Sequence, residues 1–423
     1  MLYHSLTDRS LTRSFADAVV EGLAPDKGLY YPERIPSLPE DFWLSDEDLN
    51  PWDLGAAMMA PLAEGALSHD ELCAMLKEVL NFPLELHEIE GNVYALELFH
   101  GPTHAFKDVG ARFLSRVLRK VSDKRLTILV ATSGDTGSAV AQGFLNVPNI
   151  DVVILYPQGR ISHIQEQQLT TAGANIKALE VEGAFDDCQA MVKAAFLDAD
   201  LQAQRPLTSA NSINIARWMP QSIYYAWATY LLGQPAQFSV PSGNVGNLAA
   251  GVLAAQMGMP HAGLIAATNA NDGLASHLRG DAFQPRPSVA TLSNAMDVGN
   301  PSNLPRLQAL FGDDMAAMRA TVKGAKLDDA GTMKVMKEVL DRTGYVMCPH
   351  TAVGYAGLME HRNPDVPGVV LATAHPAKVG EVVERATGHT PDVPDHLADC
   401  LNKTKEATVI SPNYEALKAH LLC

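Results

Sequence analysis

The chain has 423 residues, 47% of them hydrophobic and 19% charged, a balance that builds two or three packed domains sharing an interface and excludes disorder. Its net charge of -16 excludes a basic grip on nucleic acid or on an anionic membrane, but not the capture of a small anion by a local cluster of amides and basic side chains. No apolar run reaches the ~18 residues of a membrane span, the N-terminus lacks a signal-peptide core, and Cys73, Cys188, Cys348, Cys400 and Cys423 are scattered without metal spacing, so a cytoplasmic protein without a metal is expected.

In chain order, residues 1–90 read as a small N-terminal domain or cover. They hold the turn-rich Gly22-Leu-Ala-Pro-Asp-Lys-Gly-Leu-Tyr-Tyr-Pro-Glu33, a proline-bearing segment over 36–51, and amphipathic helical patterns over 54–66 and 69–80. Residues 91–380 alternate short Val/Ile/Leu runs with longer helical patterns, the trace of βαβ units around parallel sheets. Strands are predicted over 126–132, 152–156, 176–181, 238–240, 264–268 and 369–373, with a shorter one at Leu207. Helices are predicted over 104–121, 136–146, 164–172, 185–202, 213–232 and 248–257. The fold class is α/β, with two subdomains expected to hold a site between them. The Pro/Ser/Asn-rich stretch over 279–303 reads as a long loop bordering that site, and 381–423 as peripheral helix and tail.

Lys107 follows a Gly-Pro turn and opens a helix among apolar residues. A desolvated ammonium loses pKa and its free amine becomes able to form a Schiff base, although a lone lysine in such a place reads first as one that snorkels to solvent. Ligands of open parallel sheets bind beyond the carboxyl ends of the strands, which directs attention to the turns there. Ala131-Thr-Ser-Gly-Asp-Thr-Gly-Ser138 offers hydroxyls and helix-start amides suited to a carboxylate, or serves as a capped turn. Ser242-Gly-Asn-Val-Gly-Asn247 forms a nest of backbone N–H groups suited to phosphate, without either nucleotide-binding glycine signature. Thr373, His375 and Lys378 end a buried strand, where a hydroxyl could meet a ring nitrogen and a lysine an anion. Asn211, Ser212, Asn214 and Arg217 open another helix, where Arg217 could take a phosphate bidentately or merely pair with a carboxylate. A Schiff-base lysine, a phosphate nest, a hydroxyl for a ring nitrogen and a carboxylate turn jointly point to pyridoxal 5'-phosphate and an amino-acid substrate.

Phe99-His-Gly-Pro-Thr-His-Ala-Phe-Lys-Asp108 closely resembles the cofactor-lysine motif of the threonine synthase family, fold type II pyridoxal phosphate enzymes. The resemblance extends through residues 22–33, 131–138, 209–215, 242–247 and 373–378. It implies Lys107 as the Schiff-base residue, Gly243, Asn244, Val245, Gly246 and Asn247 as the cofactor-phosphate loop, and Thr373 as the partner of the pyridine nitrogen. Ser133, Gly134, Asp135 and Thr136 resemble the substrate-carboxylate turn, and Asn211, Ser212, Arg217 and Lys378 are candidates for the substrate phosphate or the cofactor hydroxyl. Val245 stands where relatives often carry an aromatic, a departure expected to be harmless in a backbone nest. The chain begins near the shared motif, so the allosteric site of the S-adenosylmethionine-activated plant branch is not expected, and the branch resembled suggests a monomer.

The implied reaction takes O-phospho-L-homoserine and water to L-threonine and phosphate. Lys107, released from the cofactor by the substrate amine, serves as general base at Cα and later returns protons. Loss of a Cβ proton lets the γ-phosphate leave, and water then adds at Cβ. A related lyase such as a threonine or serine dehydratase is the alternative, and it needs no second anion site.

Overall fold

Parallel strands covered on both faces need unbroken apolar runs, and Leu126–Ala131, Ala236–Pro241 and Gly368–Ala372 are buried at every position. In the computed structural model, which describes residues 1–44 and 48–422, these runs lie inside two sheets. Cys423, and 45–47 within the proline-bearing segment, lie outside the described residues. The described strands are β1 (Leu2–Ser5), β2 (Thr12–Ser14), β3 (Tyr30–Pro32), β4 (Glu85–Glu90), β5 (Val93–Glu97), β6 (Leu126–Ala131), β7 (Ile150–Pro157), β8 (Ile176–Val181), β9 (Leu207–Thr208), β10 (Ala236–Pro241), β11 (His261–Thr268), β12 (Val322–Lys326), β13 (Gly368–Ala372) and β14 (Thr408–Ile410). The larger sheet runs β12-β11-β10-β13-β5-β4 and is parallel except for its antiparallel edge β4. The smaller runs β14-β8-β7-β6-β9, all parallel. Strands β2-β1-β3 make a separate antiparallel sheet.

The expected strands are present with ends moved by a few residues; several helices differ for local reasons. The helix expected from 104 starts at Lys107, because His104 holds a left-handed φ of 55°. The helix expected over 185–202 breaks at Asp198, whose carboxylate caps the second piece through the Leu201 N–H at 2.9 Å. The one expected over 213–232 divides into Ile215–Trp218, a 3₁₀ turn at Met219–Gln221 and Ser222–Leu232, since Pro220 has no N–H to continue the ladder. Residues beyond 380 are more than a tail: β14 extends the smaller sheet, and Lys405 joins Glu166 and Glu180, each at 2.7 Å.

The N-terminal residues share their core with the rest, for Tyr3, Phe15 and Val19 belong to the same apolar cluster as Trp218, Leu248 and Leu371. One buried amide ties them to the middle of the chain: Asn214 Nδ2 donates to the Val19 carbonyl at 2.9 Å.

Two hydrogen bonds set the position of Lys107. The segment after β5 crosses the end of β13, where the Phe106 N–H donates to the Thr373 carbonyl at 2.9 Å and the His375 N–H to the His104 carbonyl at 3.0 Å. Behind this bridge, buried Asp108 accepts from the Thr103 N–H at 2.8 Å and the Thr103 hydroxyl at 2.6 Å. Burial raises the Asp108 pKa against the pull of those bonds. The helix Lys107–Val121 then presses Gly110 onto Arg217, where a Cβ would lie 2.7 Å from the Arg217 carbonyl oxygen. Gly110→Ala is expected to destabilise the protein by ~1–3 kcal/mol through overpacking against backbone, lowering the calorimetric unfolding midpoint; an unchanged midpoint would show that the two helices separate freely.

Candidate active site

The carboxyl ends of β6, β10 and β13 open onto one cavity of about 290 Å³. Lys107, Ser133, Asp135, Thr136, Asn211, Ser212, Arg217, residues 243–247 and Thr373 all line it. The sequence reading therefore brought together residues spread over most of the chain. The loop expected over 279–303 does border the cavity, through 286–288 and 294–300.

Lys107 sits at the first position of its helix, with Nζ 5.6 Å from the Phe106 ring centroid. Burial lowers its pKa to about 8; Asp135 opposes this, while Arg217 and Lys378 add to it. Thr373 uses its carbonyl on Phe106, and its hydroxyl has no partner among the described residues. The bridge thus holds an amine and a hydroxyl at a fixed separation on one wall.

The turn after β10 faces them. Val245 has φ 66°, so the backbone reverses before the helix Gly246–Gln256, and the N–H groups of Gly243, Asn244 and Val245 find no acceptor among the described residues. The first N–H groups of a helix also lack intrahelical partners. Together they make an anion cradle. A left-handed β-branched residue costs roughly 1–2 kcal/mol, so the valine, expected to be harmless, is a source of strain in the nest. Gly243 must lack a side chain, since a Cβ there would lie 2.7 Å from the Met296 Cα.

The turn after β6 is shaped by Thr132, whose hydroxyl accepts from the Gly134 N–H at 3.0 Å and the Gly137 N–H at 2.8 Å. Gly134 itself lies behind the wall with φ 134°, where a Cβ would meet the Gln165 amide at 2.5 Å. The N–H groups of Ser133, Asp135 and Thr136 remain without acceptors among the described residues. Burial pushes the Asp135 pKa up, but Lys378 and Lys107 overcome it and hold the carboxyl well below its ordinary range.

Lys378 departs from expectation. It does not line the cavity: its buried ammonium is 2.9 Å from Asp135 Oδ1 and donates to the Thr103 carbonyl at 2.7 Å. It is spent on bracing two walls and offers no free cation to a substrate phosphate. Arg217 does line the cavity, only 2% exposed, with Nη1 on the Ala210 carbonyl at 2.8 Å and a buried Nε without a partner. Burial lowers its pKa to about 10, leaving it charged at neutral pH. Ser212 Oγ accepts from Asn244 Nδ2 and from Asn303 Nδ2, both at 2.9 Å.

Several cavity residues escaped the sequence reading. His350, buried with its pKa lowered by burial to about 4, accepts the Ala295 N–H at Nε2 across 3.3 Å and so pins the loop that covers Gly243. Its signal was Cys348-Pro-His-Thr351 at a helix start. Behind the wall, Asn303 and Arg306 carried no motif at all.

The cavity asks for a polar ligand. Asn211 Oδ1, Gln221 Oε1, Asn247 Nδ2 and Arg217 Nε are buried without partners at its walls, and such atoms are rare unless a ligand or water completes them. A phosphate at the nest, an aldehyde at Lys107 and a ring nitrogen at Thr373 fit the donors present.

Residues 78–373 match a family model described as pyridoxal-phosphate dependent enzyme, residues 2–79 one described as threonine synthase N terminus, and residues 351–421 one described as threonine synthase, C-terminal. The threonine synthase of Escherichia coli (strain K12) is 42% identical over 408 residues, 94% of either chain. A crystal structure of threonine synthase from Escherichia coli superposes with a TM-score of 0.95 at 40% identity, covering 100% of this chain and 99% of that one. A pyridoxal phosphate-bound threonine synthase from Brucella melitensis superposes with a TM-score of 0.93 at 34% identity, covering 100% and 98%.

With the Lys107 pKa lowered to about 8, its free amine fraction grows as pH rises and levels off above that value. Uptake of pyridoxal phosphate by the apoprotein, followed by absorbance, is expected to accelerate about fivefold from pH 7 to 8 and to flatten by pH 9. Acceleration continuing to pH 10 would mean an ordinary, solvated lysine.

Proposed function

The chain belongs to the threonine synthase family of pyridoxal-phosphate dependent enzymes, and from that premise we propose that it converts O-phospho-L-homoserine and water to L-threonine and phosphate in the cytoplasm, as a monomer. The observation that carries the substrate assignment is a second anion site. Arg217 is a buried cation on the cavity wall, and no carboxylate pairs with it among the described residues. A dehydratase acting on threonine or serine has no use for it.

Pyridoxal phosphate, when bound, supplies an aldehyde that exchanges amines and a ring that withdraws electrons from the attached carbon. The residues 243–247 would hold its phosphate through backbone N–H groups, and the Thr373 hydroxyl would donate to its ring nitrogen, an arrangement that would keep the ring unprotonated and favour elimination over amino-group transfer. The free N–H groups of Ser133, Asp135 and Thr136, with the Ser133 and Thr136 hydroxyls, take the substrate carboxylate.

Gly134 acts by permitting the turn, and Asp135 by fixing it through Lys378. Arg217, with Asn211 beside it, takes the substrate phosphate and stabilises the charge that grows as the Cγ–O bond breaks. Lys107 moves the protons. Its amine removes the Cα proton of the bound substrate, and its ammonium returns one later. A pKa near 8 suits both tasks at neutral pH, since neither protonation state is remote.

Arg217→Met is expected to lower kcat/KM for O-phospho-L-homoserine by ~10²–10³, the effect of removing one partner of a charge-assisted phosphate contact, while cofactor uptake stays within about threefold of the parent. Assayed in parallel, the parent protein is expected to release phosphate from O-phospho-L-homoserine and to make no 2-oxobutanoate from threonine at a comparable rate. The reverse pair of results would assign it to the dehydratases.

A further inference from the structure

Arg306, on the helix Leu304–Leu310, is fully buried and sits outside the cavity wall. Its five N–H donors are all used on neutral acceptors. Nε and Nη2 share the Tyr30 carbonyl at 3.3 and 3.2 Å, Nη2 also meets the Ile213 carbonyl, and Nη1 donates to the Ser212 carbonyl and to Asn303 Oδ1, both at 2.8 Å. The guanidinium stacks on Trp218, 4.8 Å from its ring centroid. No carboxylate pairs with it among the described residues; the titratable groups that face it are the Tyr3 and Tyr31 phenols. A buried cation without an anion is costly, and burial lowers its pKa to about 9, which still leaves it charged at neutral pH. Such a charge calls for a counter-charge nearby.

Of its acceptors, Ser212 and Ile213 line the cavity, and Asn303 lies behind its wall against the loop 243–247. Because Asn303 turns its carbonyl oxygen to the guanidinium, its amide nitrogen must face the other way. There it donates to Ser212 Oγ at 2.9 Å and to the Asn244 carbonyl at 3.2 Å. Ser212 Oγ also accepts from Asn244 Nδ2 at 2.9 Å. With two N–H groups on its oxygen, the Ser212 hydroxyl can only donate, and it lines the cavity beside the nest. Asn244 is clamped from its other side by the Ser302 N–H on Oδ1 at 2.6 Å. The charge of Arg306 is thereby passed through one amide to a hydroxyl and to the loop 243–247, each bond polarised by the one behind it.

We propose that Arg306 is a positioning residue for the cofactor phosphate: a buried counter-charge that, through Asn303, orients the Ser212 hydroxyl and the Asn244 backbone toward a phosphate dianion. This rests on reading 243–247 as the phosphate site. A purely structural alternative has Arg306 as a cross-link between the 30, 212–213 and 303 segments. The two differ in what they predict for a ligand without the phosphate.

Apoprotein is titrated with pyridoxal phosphate and, separately, with pyridoxal, reading the absorbance change of the bound aldehyde, for the parent and for Arg306→Met and Arg306→Lys. Arg306→Met is expected to weaken pyridoxal phosphate at least tenfold and pyridoxal less than threefold. Arg306→Lys, which keeps the charge but loses most of the donors, is expected to weaken both while holding their affinity ratio within about threefold of the parent. Equal weakening of both ligands by Arg306→Met, or of neither, would overturn the proposal. If Arg306→Met fails to fold, Asn303→Leu cuts the link at one bond and is expected to weaken pyridoxal phosphate alone, by about threefold or more; an unchanged ratio would again overturn it. A parent protein that binds pyridoxal as tightly as pyridoxal phosphate would instead refute the reading of the nest.

Discussion

The antiparallel bridge between residues 104–106 and 373–375 is the constraint from which the site follows. Its two backbone hydrogen bonds, at 2.9 and 3.0 Å, join the segment before Lys107 to the end of β13. Without it the amine of Lys107 and the hydroxyl of Thr373 would sit on separate, independently mobile loops. With it they share one rigid wall, and the desolvation that lowers the lysine pKa becomes a fixed property of the fold. The Tyr224 hydroxyl on the Phe106 carbonyl at 2.6 Å holds the bridge from the side.

Around that wall the cations divide by task. Lys107 faces the cavity as an amine near its titration point, Arg217 faces it as a permanent charge, and Lys378 is withdrawn onto Asp135 and Thr103. Asp135 is the anion that makes this arrangement tolerable, for it is held ionised by Lys378 and Lys107 despite its burial. A chain of net charge -16 can thus present a positive interior to doubly charged phosphates. The local field, not the global sign, decides what enters.

Residue types and spacing made the parallel sheets and the motif turns legible. Val/Ile/Leu runs announce buried parallel strands, and Gly-x-x-Gly or Thr-Ser-Gly at their ends announces the turns that face a ligand. What stayed hidden depends on contacts distant in sequence. The three short strands of the N-terminal sheet, for example β1 with its half-exposed pattern, have no long apolar run to mark them. Lys378 looked like a free cation because nothing local to it reveals Asp135, 243 positions earlier by the difference of the two residue numbers. Asn303 and Arg306 are invisible for the same reason, since their partners lie at Tyr30, Ser212 and Asn244. Val245 was visible, but the left-handed backbone it must adopt was not.

That Lys107 alone holds the cofactor is tested by borohydride reduction of the pyridoxal phosphate-loaded protein, followed by digestion and peptide mass analysis. The reduced cofactor's mass is expected on the peptide containing Lys107 and on no other lysine at comparable yield. Its appearance on Lys378 or on a surface lysine, with Lys107 unmodified, would rule out Lys107 as the cofactor's attachment.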